Sequence, residues 1–393
     1  MTDGPRPSAL SRMADDYAEN ARSQRAAFAR TYDAVLAAVD AFDAEPTLRV
    51  VDLGAADGVN SHELITAIAA RRNGRRLHYA LVDLPTNVWT VAADSLDADR
   101  LAVVPDAHTS TDFVTDVGTG PHLGSADHHL QAALEAAART ASPTIVSLAG
   151  IPLQLGPSLP PGSVHIAVSG TAMHWVSDSG SLAATGSLFP GYPNHADAGE
   201  RDAWAAAAAR DWRRILACRA DELAPGGVLA TVMPASARPW PLMDGCYREI
   251  STDIDVLVTT WCADGRISDD TRRALTVPTW MRTPEELQAP FGEVGGTFCG
   301  LRLEQLELFH LDNPYWDEDP ELFAARYVHS VAAWGGPLLS RAFARSDAPR
   351  ADALVDEFLA ELARQVARDP ARYRWDYTEA LVVCRKVGDA GVT

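Results

Sequence analysis

Short apolar runs alternate with stretches of helical periodicity along much of the chain, and that alternation predicts strands threaded by helices in an α/β fold. Strands are predicted at 47–53, 76–83, near 101–104, 145–149, 164–168, 228–233 and 378–386. Helices are predicted over 13–43, where Tyr17, Ala21, Phe28, Tyr32, Val35, Leu36 and Val39 fall near helical spacing, and over 61–72, where Asn60 or Ser61 can cap the first turn. Further helices are expected at 131–141, at 203–223 with Trp212, Ile215 and Leu216 on one face, and at 349–368 with Leu354, Phe358, Leu359 and Leu362. Pro225-Gly226-Gly227 is read as the stop after the 203–223 helix. The first twelve residues read as frayed, and 84–130 carries no clear period.

The alternation breaks between 235 and 346, where aromatics and prolines are frequent. This predicts a mostly helical cap over the carboxyl ends of the strands, where open α/β sheets bind ligands. The expected organisation is an N-terminal helical arm (1–45), a Rossmann-like core (46–234 and 347–393) and the cap (235–346).

Composition narrows the function. The 393 residues are 47% hydrophobic and 22% charged, as in soluble globular chains. The formal net charge of −19 is spread along the chain and argues against a nucleic-acid surface. Lys386 is the single lysine among many arginines and alanines, a GC-rich bias that points to a bacterial source. Cys218, Cys246, Cys262, Cys299 and Cys384 form no C-x-x-C, which suggests reduced thiols in a cytoplasmic protein. A polar start and the lack of a long apolar run predict neither a signal core nor a membrane span.

Candidate chemistry begins at Arg49–Asn60. Val50 and Val51 lead to Asp52, and Gly54-x-x-x-Gly58 turns into the next helix. Glycines allow a tight turn and close approach of a ligand to the backbone. The third glycine of a dinucleotide fingerprint and the Gly-Lys-Ser/Thr of a phosphate loop are both missing. With Asp52 and Asp57 nearby, the loop suits S-adenosylmethionine, which carries a sulfonium and an amino group instead of phosphate; an ordinary strand-to-helix turn is the alternative. Asp83, at the end of the second strand, stands where an acidic residue grips a ribose in many such folds. His174 reads as a base or a packed histidine, Trp175 as a donor or core, and Trp280, Trp316 and Trp334 as an apolar pocket or cap core. Asp112 and Asp116 read as adenine contacts or turn residues. His128-His129 and Asn194-His195-Ala-Asp197 lack metal-ligand spacing, so no metal is expected.

Several islands, in order, resemble the SABATH family of SAM-dependent carboxyl methyltransferases. Tyr17-Ala-Glu-Asn20-Ala-Arg-Ser-Gln24 is similar to its Tyr-Ala-x-Asn-Ser-x-x-Gln, and Asp52-Leu-Gly-Ala-Ala-Asp-Gly-Val-Asn60 to its Asp-Leu-Gly-Cys-Ser-Ser-Gly-Pro-Asn. Asp83-Leu84-Pro85-Thr-Asn87, Ser169–Ser177 and Pro278–Leu287 resemble its Asp-Leu-Pro-x-Asn, Ser-Ser-Tyr-Ser-Leu-His-Trp-Leu-Ser and Pro-x-Tyr-x-Pro-Ser-x-Glu-Glu-Val. The resemblance implies a class I methyltransferase sheet with a helical cap, to which the helix, Pro-Gly-Gly, strand order also conforms. It implies that Asp52, Gly54 and Asn60 surround the methionine part of the cofactor. Asp83 holds the ribose, Leu84 borders the adenine, and Tyr17 and Asn20 close the site. Gln24 and Trp175 hold an acceptor carboxylate with His174 beside them, and Thr171, Trp316 and Trp334 line the acceptor pocket. The chain departs from the pattern at Ala21, at Thr171 in place of tyrosine, at Leu153-Gln154-Leu155-Gly156, and in lacking an N-terminal lysine.

The resulting expectation is an enzyme that uses S-adenosylmethionine to methylate the carboxylate of a small apolar or aromatic acid by in-line displacement. A carboxylate is already ionised at neutral pH, so no general base is required. An O- or N-methyltransferase with His174 as base is the alternative, and a SAM-binding module without turnover a third reading. A homodimer is expected by resemblance.

Overall fold

The computed structural model describes residues 21–56, 58–84, 102–105, 144–150, 159–177, 182, 188–189, 198–237 and 246–388. Its strands are β1 (Thr47–Leu53), β2 (Arg76–Asp83), β3 (Ala102–Pro105), β4 (Thr144–Gly150), β5 (Val164–Gly170), β6 (Leu223–Pro234), β7 (Thr297–Phe298), β8 (Leu301–Asp312) and β9 (Trp375–Lys386). They form one sheet in the order β3-β4-β2-β1-β5-β6-β9-β8-β7. The strands from β3 to β6 run parallel, while β9 is antiparallel to both β6 and β8. The chain moves outward from β1 in one direction through β2 and in the other through β5. The crevice at this switch point lies beyond the carboxyl ends of β1 and β5, the site where such sheets take ligands.

The helices are α1 (Arg22–Ala29), α2 (Tyr32–Ala41), α3 (Val59–Arg72), α4 (Ala198–Glu222), α5 (Cys246–Ala263), α6 (Asp269–Ala274), α7 (Pro284–Gln288), α8 (Pro320–Asp347) and α9 (Ala351–Arg368). One face of the sheet (Val50, Leu81, Ile166, Val168, Leu381, Val383) packs on Phe28, Val35, Val39, Leu64 and Ile68 of α1, α2 and α3. The other face (Val51, Ala167, Leu229, Val382) packs on Trp212, Ile215 and Leu216 of α4. A separate apolar cluster joins α5, α8 and α9 in the cap.

Three features differ from the sequence pattern. The described part of the arm is two helices, because the Thr31 hydroxyl donates to the Phe28 carbonyl at 2.7 Å and its N–H donates to the same oxygen at 2.9 Å. A threonine that bonds a nearby carbonyl in this way breaks the regular ladder. Pro225-Gly226-Gly227 lies inside β6 as a bulge: Val164 pairs with Leu223 while Ile166 pairs with Val228. Gly227 is required there, since a Cβ would stand 2.8 Å from the Ala224 carbonyl. Finally, the segment expected as a mostly helical cap contains β8, a full strand of the sheet. Leu301 and Leu303 face α4, and after a register shift between Leu303 and Gln305 the same face is continued by Leu306 and Leu308. The period-two signal changes phase at this irregularity, which hides the strand from a simple alternation count.

Residues 128–129, 131–141, 153–156 and 194–197, together with Tyr17, Asn20, Asp57, Asp112 and Asp116, lie outside the described residues.

The cap core centres on Trp261. Its fully buried ring stacks on Phe343 at 5.8 Å and meets Phe358 edge-on at 5.2 Å, and its Nε1–H donates to Glu361 at 2.9 Å. Truncation leaves a large cavity, while Glu361 keeps its bond from Arg266 at 2.9 Å. Trp261→Ala is expected to cost about 3–5 kcal/mol in urea unfolding followed by far-ultraviolet circular dichroism.

Candidate active site

The end of β5 turns sharply at Thr171, which sits at φ +52° while its N–H donates to the Val232 carbonyl at 2.8 Å. A β-branched residue in this region is strained and persists only where its surroundings fix it. The loop that follows is zipped to the cap. The Trp280 N–H donates to the His174 carbonyl at 3.0 Å, the Val176 N–H donates to the Pro278 carbonyl at 2.8 Å, and Trp175 bridges to Thr279. Arg282, fully buried, donates to the Met173 carbonyl and to the Ala208 carbonyl of α4, each at 2.8 Å. The Ser177 N–H and hydroxyl both donate to Asp211, at 2.7 and 2.8 Å.

These contacts present His174 and Trp175 to a cleft. Gln24 of α1 and Thr171 share the wall, Met281 and Trp334 supply its apolar side from the cap, and Tyr377 and Glu379 enter from β9. Gln24 Oε1 and His174 Nδ1 are buried without a hydrogen-bond partner among the described residues. Burial is costly for polar atoms left unpaired, so two orphans converging on one cleft mark a place for a polar ligand. The Trp175 indole lies 5.3 Å from the His174 ring. Burial, with the Arg282 charge adding to it, pushes the His174 imidazole down to about 3. It is therefore neutral across the ordinary pH range.

α1 is docked on three sides. The Arg22 N–H donates to the Tyr315 hydroxyl at 2.9 Å, tying the arm to the cap. Arg25 Nε donates to Asn60 Oδ1 at 3.1 Å, tying it to the glycine loop. Phe28, one helical turn from Gln24, seats against Gly170, where an added Cβ would fall 2.7 Å from the ring.

The glycine loop itself holds three left-handed residues, Gly54 at φ 80°, Ala56 at φ 50° and Gly58 at φ 75°. Asp83 Oδ2 accepts from the Ala56 N–H and Oδ1 from the Leu84 N–H, both at 2.6 Å, so the expected ribose carboxylate also holds the loop's shape. Asp52 is buried, and its Oδ2 accepts from the Ser61 hydroxyl at 2.6 Å and from the Tyr79 hydroxyl at 3.0 Å. Burial raises its carboxyl to about 6, and both hydrogen bonds oppose the rise. Ser61, expected with Asn60 as a helix cap, lies inside α3 and bonds Asp52 instead, the cap position being Gly58, and Tyr79 had no distinguishing signal in the sequence.

Of the expected acceptor residues, the structure brings together Gln24, Thr171, His174, Trp175 and Trp334. Trp316 is a correction: it is 38% exposed, packs on Phe323 at 5.1 Å and carries Arg374 over its ring, outside the cleft. The turn that follows β8, closed by a bond from the Trp316 N–H to the Asn313 carbonyl, leaves it on the surface. Trp280 is core, with its Nε1–H on Glu286 at 3.1 Å. Glu379, Tyr377, Met281 and Arg282 were missed. The signal for Glu379 was a lone acid at the head of an apolar strand, Glu379-Ala-Leu-Val-Val-Cys384.

Comparison with known proteins gives the family and the fold. The family described as SAM dependent carboxyl methyltransferase matches residues 154–386. Gibberellic acid methyltransferase 2 of Arabidopsis thaliana is 26% identical over 192 residues, a match spanning 46% of this chain and 50% of that relative, about half its length. A solved structure of loganic acid methyltransferase with SAH superposes with a TM-score of 0.69 at 15% identity, covering 97% of this chain and 99% of that chain. At that identity the superposition establishes the fold alone.

Two predictions follow from the geometry. Gly170→Ala forces Phe28 aside and is expected to destabilise the chain by about 1–3 kcal/mol, as overpacking does. Phe28→Leu in the same chain removes the clash, and a double-mutant cycle by chemical denaturation should show the coupling. The second concerns acid. His78 and His165 are pushed down to about 4 and His174 to about 3, each mainly by burial, so the unfolded chain binds protons at these sites below pH 6.5 while the folded chain does not. Asp52, raised to about 6, acts in the opposite sense between pH 6 and 4. Three histidines against one aspartate leave an uptake of about two protons on unfolding near pH 5 from these sites. The melting temperature is expected to fall as pH drops from 6.5 to 4.5, and replacing His174 by a neutral side chain should flatten that slope.

Proposed function

The chain belongs to the SAM-dependent carboxyl methyltransferase family, and on that premise we propose that it methylates the carboxylate of a small, largely apolar acid. The observation that carries the reading is the set of uncharged polar groups in the cleft: the Gln24 side-chain oxygen and His174 Nδ1, buried and without partners among the described residues, beside the Trp175 indole.

The residues fit the cofactor. Asp83 is half-buried at the end of β2 and can accept further bonds from a ribose diol, since each carboxylate oxygen has two acceptor sites. The left-handed turns at Gly54, Ala56 and Gly58 bring the backbone close without a phosphate-binding lysine. Asp52, Gly54, Asn60, Asp83 and Leu84 are the residues we assign to S-adenosylmethionine, with Tyr17 and Asn20 completing the site by resemblance. Bound there, the cofactor supplies an electrophilic methyl group on a sulfonium.

The chain's own part is alignment and exclusion of water. An acceptor carboxylate arrives ionised, so no proton has to be removed. The Gln24 amide and the Trp175 indole N–H donate to its oxygens without quenching its nucleophilicity by a full charge. Holding the reacting oxygen in line can contribute on the order of 7–11 kcal/mol to the barrier. A hydroxyl or ring nitrogen acceptor calls for a base, and effective bases have pKa values near the working pH. An imidazole held down to about 3 is far below that range, which favours a carboxyl acceptor. Met281 and Trp334 add apolar lining from the cap.

By the same resemblance we assign a homodimer, and from the scattered cysteines a cytoplasmic location; among the described residues no helix is long and apolar enough to cross a membrane.

Methyl-labelled cofactor and a panel of aromatic and aliphatic acids, phenols and purines should give extractable label that mild base releases as methanol, the mark of a methyl ester. Base-stable label would refute the carboxyl reading. Gln24→Ala and Trp175→Ala are each expected to lower kcat/KM by about tenfold or more, as loss of a positioning hydrogen bond does.

A further inference from the structure

A second pocket lies inside the cap. Ile254 of α5, Leu338 and Leu339 of α8, and Phe358 and Leu362 of α9 are among its walls. Every lining side chain among the described residues is a hydrocarbon except the indole of Trp334. On α8 the lining positions Val331, Trp334, Gly335, Leu338 and Leu339 follow the spacing of one helix face.

That face is incompletely packed. Trp334, Leu338 and Leu339 keep 9%, 8% and 7% of their surface accessible, whereas Trp261 and Phe343 of the same cluster keep none. Protein interiors are otherwise close-packed. Gly335 is buried within α8, yet a Cβ built on it would meet nothing within 4 Å outside its own helical turns. The contrast is with Gly170, where Phe28 fills the space a side chain would need. Glycine inside a helix is less favourable than alanine, so neither packing nor helix stability accounts for Gly335.

The pocket adjoins the acceptor cleft. Trp334 lines both, and along the cap segment that follows α6 Val277 lines the pocket while Thr279 and Met281, farther on, line the cleft. A wall without hydrogen-bonding groups gives a polar group nothing in exchange for water, whereas apolar cavities take up apolar ligands. We propose that this pocket takes an extended hydrocarbon tail of the acceptor acid. The tail passes Trp334 while the carboxylate stays at Gln24 and Trp175, and the missing side chain at Gly335 leaves it room. The inference rests on the carboxyl-methylation reading and specifies the substrate class for the same site: acids with a long alkyl or alkylaryl chain, in preference to compact ones.

The test is acceptor length, measured with the full chain on two series. One is butanoic, hexanoic, octanoic and decanoic acid; the other is benzoic, 4-butylbenzoic and 4-octylbenzoic acid. In at least one series kcat/KM should rise by about two- to fourfold per added methylene until the tail fills the pocket, so that the best member exceeds the shortest by about tenfold or more. Gly335→Leu puts a side chain in the path of the tail and should bring that ratio to within about threefold of unity, chiefly through KM for the long acid. Gly335→Ala should lower the ratio by a smaller factor without lowering the melting temperature, because its methyl group enters open space in a helix interior. Leu359→Trp narrows the same pocket from α9 and should also lower the ratio, which guards against a Gly335→Leu chain that fails to fold. Ester formation with no rise in either series, or a rise that the folded filling variants leave intact, overturns the role of the pocket and leaves carboxyl methylation standing. A Gly335→Ala chain that melts below the parent does the same, since the space beside Gly335 would then be filled. Formation of no ester from any acid overturns both.

Discussion

The buried guanidinium of Arg282 is the contact on which the rest of the site depends. From the cap it bonds Met173 in the loop after β5 and Ala208 in the middle of α4, joining three parts of the chain that also share apolar contacts through Met173, Trp212 and Leu287. Hydrogen bonds from a charged donor contribute about 1.5–3 kcal/mol each, more than neutral ones. Removal from water acts against the charge and lowers the guanidinium to about 10, so it remains protonated at neutral pH. The loop it holds is the one that aims His174 and Trp175, and its charge is a secondary cause of the neutrality of His174.

On the proposed reading, the acceptor anion would be met in this cleft by neutral groups. A lysine or arginine in contact with the acceptor oxygen would bind it more tightly and make it less reactive; uniform tight binding does not raise kcat. On the same reading, an amide, an indole and an uncharged imidazole would orient the oxygen while leaving its charge available. The arm that brings Gln24 to this place is secured by a steric fit, the absence of a Cβ at Gly170, together with single hydrogen bonds to Asn60 and Tyr315. Cofactor loop, acceptor cleft and cap are thus linked through one short helix, so ordering any one of them favours the others.

Burial of ionisable groups runs through the molecule. Asp52 is drawn up and three histidines are drawn down, all chiefly by loss of water. Asp52 keeps Ser61 and Tyr79 fixed under the glycine loop, and Asp83 closes the loop from the next strand. Both carboxylates therefore shape the backbone at the place where ligand recognition is assigned to them.

The chain's local patterns were enough to determine the parallel half of the sheet, because β1, β2, β5 and the apolar stretch of β6 are continuous apolar runs with turns at their carboxyl ends, and strands buried on both faces demand that composition. They were enough for the glycine loop, for Asp83 at a strand end and, through resemblance, for the set Gln24, His174 and Trp175, since these sit in short contiguous islands. β8 was beyond that reach because its alternation changes phase at a register shift, and the arm was cut in two by one hydroxyl-to-carbonyl bond. Tertiary packing alone decided that Trp316 lies on the surface while Trp334 faces the cleft, since two tryptophans of one cap carry the same local signal. It also decided that Tyr377 and Glu379, remote in sequence from every other member of the site, meet them: antiparallel pairing of β9 brings its first residues to the edge where the parallel strands end, and strand pairing across such distances leaves no mark in the local order of residues.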